Sequence, residues 1–271
     1  MRTETFHTSG GLQLSVEIPT GLVEVIGADG DETVLQIDGE RNPDEVAVRL
    51  EPRAGGHRLR IEHRGRRFGL LGSGDLHVRA TVPEDTDVEL STGSADLTVR
   101  GQVRSITLRA GSGDLAFDRA SGDVTVKVAS GDVLGTHVGG DLTMHGASGD
   151  LSIAHVEGDV TARTASGDVG IGHVTGSVRA STVAGEIRID ALSAGSAEIR
   201  TVSGDVEVCV ERGTGVLLDL STTSGEVTSE LEMGDGDGRS PDLELRIGSV
   251  SGDVIVRRAR RRRDDGGGST G

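Results

Sequence analysis

The tripeptide Ser-Gly-Asp recurs along this chain at a nearly constant interval. Four copies begin at Ser112, Ser130, Ser148 and Ser166, so that each stands 18 positions after the one before. A repeat of this length is typical of a solenoid, in which each repeat forms one coil that is stable only when it stacks on its neighbours. Looser copies extend the series on both sides: Ser73–Asp75, Ser94–Asp96, Ala184–Glu186, Ser203–Asp205, Ser224–Glu226 and Ser251–Asp253.

Apolar and polar residues alternate within one coil. After the turn at Ser148–Asp150 come Leu151 and Ile153, and a second turn at Glu157–Asp159 precedes Val160. A period of two predicts short strands with one buried face. Apolar residues also recur at the same position of successive coils, as in a buried parallel sheet. We therefore predict an all-β fold, a single-chain parallel β-helix (β-solenoid) of about ten coils.

Three segments follow from the register of the repeats. Residues 1–72 alternate but do not follow the period of the tripeptides, which predicts a strand-rich N-terminal cap or irregular first coils. Residues 73–256 carry the repeats and form the predicted solenoid. Residues 257–271 hold six Arg and two Asp without apolar periodicity, and a disordered basic tail is expected.

Composition argues against an enzyme. Aromatic residues make up 1% of the chain, and Trp and Tyr are absent, whereas enzyme pockets are usually lined with aromatic side chains. A single cysteine excludes a disulfide framework and a cysteine-based zinc site. We predict a non-enzymatic protein without a cofactor. A polysaccharide-active β-helix remains the alternative, because glycan-cleaving β-helices use clustered carboxylates.

Charge and hydropathy bear on partners and location. The net charge is −16, and removing the six Arg and two Asp of the tail leaves −20 on the remainder. Such a surface repels phosphates, so no nucleic acid is expected along the solenoid. The sequence has no leader-like or membrane-spanning apolar run, which predicts a cytoplasmic protein. The tail could contact a partner or an anionic membrane surface through Arg257, Arg258, Arg260, Arg261, Arg262 and Arg263.

One candidate ligand site is the column of acidic residues from the tripeptides. In chain order these residues should stack about 4.8 Å apart, where like charges repel. Divalent cations such as calcium would relieve the repulsion, whereas turn carboxylates could instead accept backbone N–H bonds and face water. The central members of the column are Asp114, Asp132, Asp150 and Asp168.

A second candidate is a histidine ladder with the same spacing: His137, His155 and His173. Each precedes an apolar residue that the pattern places inside, so the imidazoles should point outward. Zinc–nitrogen bonds are about 2.0–2.1 Å long, so one ion could join two neighbouring histidines but not all three. The other interpretation is a solvated ladder that responds to pH. From sequence alone we assign no metal site.

The segment Gly21–Glu32, followed by many Ser-Gly-Asp-Val repeats, resembles the bacterial adhesin-like β-strand-repeat family, domain of unknown function 4097. The resemblance runs from about Gly11 to Val256 and implies a β-solenoid. It also implies an adhesin-like role, and some relatives accompany envelope-stress systems. We therefore expect a binding or scaffolding module with an unidentified protein or polymer partner. A cation-stabilised adhesive module that is exported is a further alternative.

Overall fold

The computed structural model describes residues 1–8, 10–39, 46–63, 76–231 and 241–259. In these ranges the regular elements are β-strands, and all 23 belong to one hydrogen-bonded array. The same ranges contain no helix long and apolar enough to cross a membrane. The predicted all-β solenoid is confirmed.

The central coils stack in the order of the sequence. Each coil contributes one strand to a first wall and the next strand to a second wall. Within each wall, neighbouring strands pair in parallel. A residue therefore lies beside the residues 18 positions away, as Val126 lies between Leu108 and Met144. The first-wall strands are β8 (Ser105–Ser112), β10 (Val124–Ser130), β12 (Leu142–Ser148), β14 (Val160–Arg163) and β16 (Val178–Ala184). The second-wall strands are β9 (Leu115–Ala120), β11 (Val133–Val138), β13 (Leu151–Val156), β15 (Val169–Val174) and β17 (Ile187–Leu192).

The core lies between the two walls. Leu108 and Val126 from the first wall and Leu151 and Ile153 from the second are buried, while the alternate residues of the same strands face solvent. Burial of such side chains contributes about 1.5–3 kcal/mol each, which one coil alone could not realise.

Close stacking of the turns requires the glycine of the tripeptide. Gly149 has a φ of 125°, in the region that L side chains rarely adopt. A Cβ added there would lie 2.1 Å from the carbonyl oxygen of Gly131, and one added at Gly131 would lie 2.1 Å from that of Gly113. Because each turn sits directly on the one before it, no side chain fits at this position.

The N-terminal coils do not follow chain order. β2 is a complete coil that passes through both walls, with β7 on one side and β5 and β6 on the other. β3 and β4 cover β6 and β5 in antiparallel pairing, and β1 pairs with β3. The described residues before β6 thus combine stacked strands, β2 and β5, with antiparallel covering strands, and Ser73–Asp75 lies outside the described residues. The strands are β1 (Arg2–His7), β2 (Gly11–Ala28), β3 (Glu32–Gly39), β4 (Val46–Arg53), β5 (Gly56–His63), β6 (Leu76–Pro83) and β7 (Asp87–Val103).

The C-terminal coils are also permuted. Their strands are β18 (Gly195–Ser203), β19 (Val206–Val210), β20 (Val216–Ser224), β21 (Val227–Ser229), β22 (Leu243–Ser251) and β23 (Val254–Arg258). β22 lies between β18 and β20, and β23 lies between β19 and β21. The last coil in sequence is therefore next to last in space, and β20 and β21 form the end of the described solenoid.

Candidate functional site

The acidic column forms a ladder of hydrogen bonds between turns. The backbone N–H of Asp132 donates to Oδ1 of Asp114 at 2.8 Å, and Asp150 and Asp168 repeat this contact with the coil before them. Oδ1 of each carboxylate is therefore an acceptor for the next turn. These contacts explain the acidic residue in the tripeptide without a cation, and calcium binding stays a prediction.

The same ladder records the permuted order of the last coils. The N–H of Asp253 donates to Oδ1 of Asp205 at 2.8 Å, and the N–H of Glu226 donates to Oδ1 of Asp253 at 2.8 Å. The expected chain order of the column therefore does not hold here, because the coil containing Asp253 is inserted before the coil containing Glu226.

The histidine ladder lies on the outside of the second wall, near a column of turns. Ring centroids are 5.1 Å apart for His137 and His155 and 4.8 Å apart for His155 and His173, and both pairs are stacked. Nε2 of His137 lies 3.4 Å from Oε1 of Glu157, and Nε2 of His173 lies 2.9 Å from Oε1 of Glu211. The ladder thus combines imidazoles with carboxylates.

The start of the basic tail is part of the solenoid. β23 continues through Arg258, two residues beyond the predicted boundary. Arg257 forms an ion pair with Glu207 at 3.0 Å, and Nη1 of Arg258 donates to the carbonyl oxygen of Glu211 at 2.8 Å. These contacts hold both arginines on the coil. The other predicted contact residues of the tail, Arg260, Arg261, Arg262 and Arg263, lie outside the described residues.

The outside of the first wall carries a basic surface, although the net charge of the chain is −16. Five basic side chains occupy one column of consecutive coils, interrupted once by Ser181. We call this column the basic strip; its members are Arg109, Lys127, His145, Arg163 and Arg200. A parallel column two residues earlier carries hydroxyls, and its members are Thr107, Thr125, Thr143 and Thr161.

The centre of the basic strip is the part least neutralised. Arg109 at one end pairs with Glu89 at 2.8 Å, and Arg200 at the other end pairs with Glu198 at 2.5 Å. Lys127 forms no ion pair with a described residue, and the same holds for Arg163. A shallow depression beside Arg163 is lined by Arg163, Arg179, Ala180, Ser181, Glu198 and Arg200.

Acidic columns flank the basic strip on both sides. Lys127 lies four residues after Asp123 and five before Asp132, so about 13–17 Å of chain, counted along an extended backbone, separates it from each column. This exceeds the Debye length of about 8 Å at physiological ionic strength. A narrow anion on the strip is therefore largely screened from the acidic turns, whereas a broad one would meet them.

The comparison with known protein families agrees with this architecture. The family model described as Toastrack, DUF4097, matches residues 13–257. The chain belongs to the Toastrack family. The match includes most of β2 and of β23, so the permuted coils at both ends belong to the Toastrack domain. The resemblance inferred from the repeats is confirmed, and none of the curated proteins matches the chain.

Several solved structures are similar to this Toastrack domain over nearly its full length. A candidate cell-adhesion protein from Clostridium sporogenes is 11% identical, with a TM-score of 0.30 and coverage of 95% of this chain and 99% of that one. A candidate adhesin from Bacteroides fragilis is 12% identical, with a TM-score of 0.46 and coverage of 94% and 96%. A candidate lipid-binding protein from Parabacteroides distasonis is 15% identical, with a TM-score of 0.36 and coverage of 96% of each chain.

The basic strip was within reach of sequence reasoning. Arg109, Lys127, His145 and Arg163 recur at the period of the tripeptides, the same spacing that identified the acidic column and the histidine ladder. The negative net charge gives no sign of the strip, because a sum over the whole chain does not show where the basic residues lie. Alignment of the Toastrack repeats on the tripeptide would reveal the column.

Proposed function

We propose that this Toastrack domain is a non-enzymatic binding module that holds an extended, carboxylate-rich chain along the basic strip. The observation that carries the proposal is the alignment of Arg109, Lys127, His145 and Arg163 on consecutive coils, in register, with no described ion pair at Lys127 or Arg163. A line of basic side chains with a constant interval suits a ligand that also repeats its charge.

Rigidity makes such a surface effective. Neighbouring strands lie about 4.7–4.9 Å apart, and the hydrogen bonds of the walls hold the side-chain bases in line. The binding surface is thus ordered before the ligand arrives, which lowers the entropy lost on association. Beside it, the threonine column offers hydroxyl groups that can donate hydrogen bonds to carboxylate oxygens. The acidic turns on both sides favour a narrow ligand over a folded acidic protein.

A binding role also fits the chemistry better than turnover. The basic strip repeats one kind of group along an outward face, whereas catalysis requires unlike groups that converge on one reacting atom. For the partner we favour an acidic polypeptide segment over an acidic polysaccharide, because the predicted setting is the cytoplasm. Cell fractionation tests that setting, and recovery in the envelope fraction would contradict it.

Titration calorimetry of the purified protein with poly-L-glutamate tests the proposal, and polygalacturonate as a second ligand separates peptide from sugar. The double variant Lys127→Glu with Arg163→Glu should bind poly-L-glutamate at least tenfold more weakly. A control of equal charge change, Arg49→Glu with Arg212→Glu, should stay within twofold of wild type, because both arginines are exposed and lie off the strip.

Salt provides a second check. Binding through several cations should weaken steeply as salt rises, because exposed charges are screened. Tighter binding of polygalacturonate than of poly-L-glutamate would move the partner to a polysaccharide of the envelope. No binding of either polymer, or equal losses in both double variants, would remove the basic strip as the binding surface.

A further inference from the structure

The histidine ladder brings together a set of groups that the basic strip does not use. His137, His155 and Glu157 each place one nitrogen or oxygen ligand atom within 4.8 Å of the others. The two histidines are half-buried and Glu157 is exposed, so the group opens to solvent on one side. We propose that these three side chains form a binding site for a zinc ion on the second wall.

The first argument is the distance between His137 and Glu157. Zinc bonds to imidazole nitrogen and carboxylate oxygen are about 2.0–2.2 Å, and tetrahedral geometry then places two ligand atoms about 3.3–3.6 Å apart. Nε2 of His137 and Oε1 of Glu157 are 3.4 Å apart. This pair already has the separation that one zinc ion would impose.

The second argument is how the backbone aims Glu157. The N–H of Glu157 donates to the carbonyl oxygen of Val138 in the preceding coil at 2.9 Å. This bond holds the start of the turn above the end of the coil that carries His137. Glu157 therefore reaches back to His137, while His155 comes from its own coil, and three ligands from two coils converge.

The third argument is the position of His155, which supplies the third ligand. The rings of His137 and His155 are stacked with an interplanar angle of 11° and centroids 5.1 Å apart. Since all ligand atoms already lie within 4.8 Å, a movement of about 1–1.5 Å by the His155 ring gives the tetrahedral separation. The fourth position faces solvent and suits a water molecule.

His173 does not take part in the proposed site. Its Nε2 contacts Oε1 of Glu211 at 2.9 Å, a normal hydrogen-bond distance that engages the outward nitrogen. His173 also stacks on His155, with centroids 4.8 Å apart. His173 therefore stacks on His155 while its own Nε2 contacts Glu211, and two histidines remain for the ion.

The donor set selects the class of metal. Two imidazoles and one carboxylate suit zinc, copper or nickel, whereas calcium and magnesium prefer six or more oxygen ligands. Three protein ligands with one open position is a coordination that zinc adopts in many proteins. We therefore expect zinc to bind and magnesium or calcium to have no effect at this group.

The test is calorimetric titration of the untagged chain with zinc chloride at pH 7.5, with magnesium chloride as the comparison. Wild type should bind one zinc ion, and His155→Ala and Glu157→Gln should each weaken binding at least tenfold. The matched control is His77→Ala, which removes an exposed histidine of β6 that lies outside both the ladder and the basic strip, and it should leave zinc affinity within twofold.

Two results would overturn the site: no saturable zinc binding by wild type, or the same affinity in His155→Ala and Glu157→Gln as in wild type. Circular dichroism establishes that each variant is folded. Glu157→Gln changes one exposed side chain, so it reports on the site even if His155→Ala disturbs the ladder. Because poly-L-glutamate binding is measured separately, failure here leaves the basic strip untouched.

Discussion

The middle of the solenoid and its two ends obey different rules of assembly. From β8 to β17 each coil stacks on its predecessor in the sequence, and the register advances by one full repeat at each step. At the ends, β2 lies between β6 and β7, and the coil of β22 and β23 lies between the coil of β18 and β19 and that of β20 and β21. The conformation of a coil is thus set locally, whereas its place in the stack is not.

The two ends of the solenoid are closed differently. The N-terminal end finishes with the antiparallel strands β1, β3 and β4, which cover the walls. At the other end the inward residues of β20 are only half-buried, while those of the inserted β22 are buried. Core substitutions in β22 should therefore destabilise the protein more than those in β20, although β20 comes first in the sequence.

The largest expected effect compares two residues of one column. Ile247 of β22 lies between Ile199 and Leu220 and is 2% exposed, whereas Leu220 of β20 is half-buried. Ile247→Ala should lower the free energy of unfolding by about 2–5 kcal/mol, because it opens a cavity in the core. Leu220→Ala should cost about 1 kcal/mol, because the side chain is already partly hydrated.

Chemical denaturation of both variants measures the difference. If the coils were stacked in chain order, Leu220 would be internal and Ile247 terminal. A larger loss for Leu220→Ala would therefore refute the inserted position of β22.

The position of β2 can be tested in the same way. Gly21 has a φ of 137°, and a Cβ added there would lie 2.0 Å from the carbonyl oxygen of Leu76 in β6. Gly55 also has a positive φ, 86°, but an added Cβ meets nothing within 4 Å. Gly21→Ala should lower the free energy of unfolding by about 1–3 kcal/mol more than Gly55→Ala does, because only the methyl group added at position 21 meets neighbouring atoms.

Gly55→Ala is the matched control, since both substitutions strain the backbone. Equal losses of unfolding free energy in the two variants would mean that β6 does not stack on β2.

The sequence predicts the coil but not the stacking order, and the reason is physical. Turn glycines, β-branched ladders and alternating burial all act within a single repeat. The order of coils depends on which coils pair over long distances in the sequence. Because the coils are alike, their sequences do not show which one is the neighbour of which. A local sign at the C-terminal end is the spacing of the last tripeptides, which is wider than in the central coils for the copies at Ser203, Ser224 and Ser251.

The candidate sites divide along the same line. The alignment of His137 and His155 follows from the period, and so does that of the basic strip from Arg109 to Arg163. The contact of Glu211 with His173 joins positions 38 apart and crosses a coil, so no period indicates it. Contacts between equivalent positions of neighbouring coils could be predicted, whereas those between different positions required the structure.

A smaller effect is expected in the acidic column of the middle coils. Asp150→Ala removes the acceptor for the N–H of Asp168 and should cost about 1 kcal/mol. Asp150→Asn keeps an oxygen acceptor and removes one of several like charges, so stability should be equal or slightly higher. Thermal unfolding of both variants, in EDTA and in calcium, measures the difference. If Asp150→Asn were as destabilising as Asp150→Ala in calcium but not in EDTA, the carboxylate would be shown to bind the ion.

The smallest effect lies where the permuted end meets the regular coils. Burial alone would raise the pKa of Asp87, but hydrogen bonds from Arg104 and Ser105 outweigh it and hold the pKa below its ordinary value. A lowered carboxyl pKa stabilises the fold above the unfolded-state pKa of about 3.9, and that contribution is lost as the pH falls through the folded pKa. Partly exposed pairs contribute at most about 1 kcal/mol. The difference in unfolding free energy between wild type and Asp87→Asn should thus be constant from pH 7 to 5 and shrink below pH 4. A difference that stays constant down to pH 2.5 would mean that Asp87 acts through hydrogen-bond geometry rather than charge, and that the junction between β7 and β8 needs no ion pair.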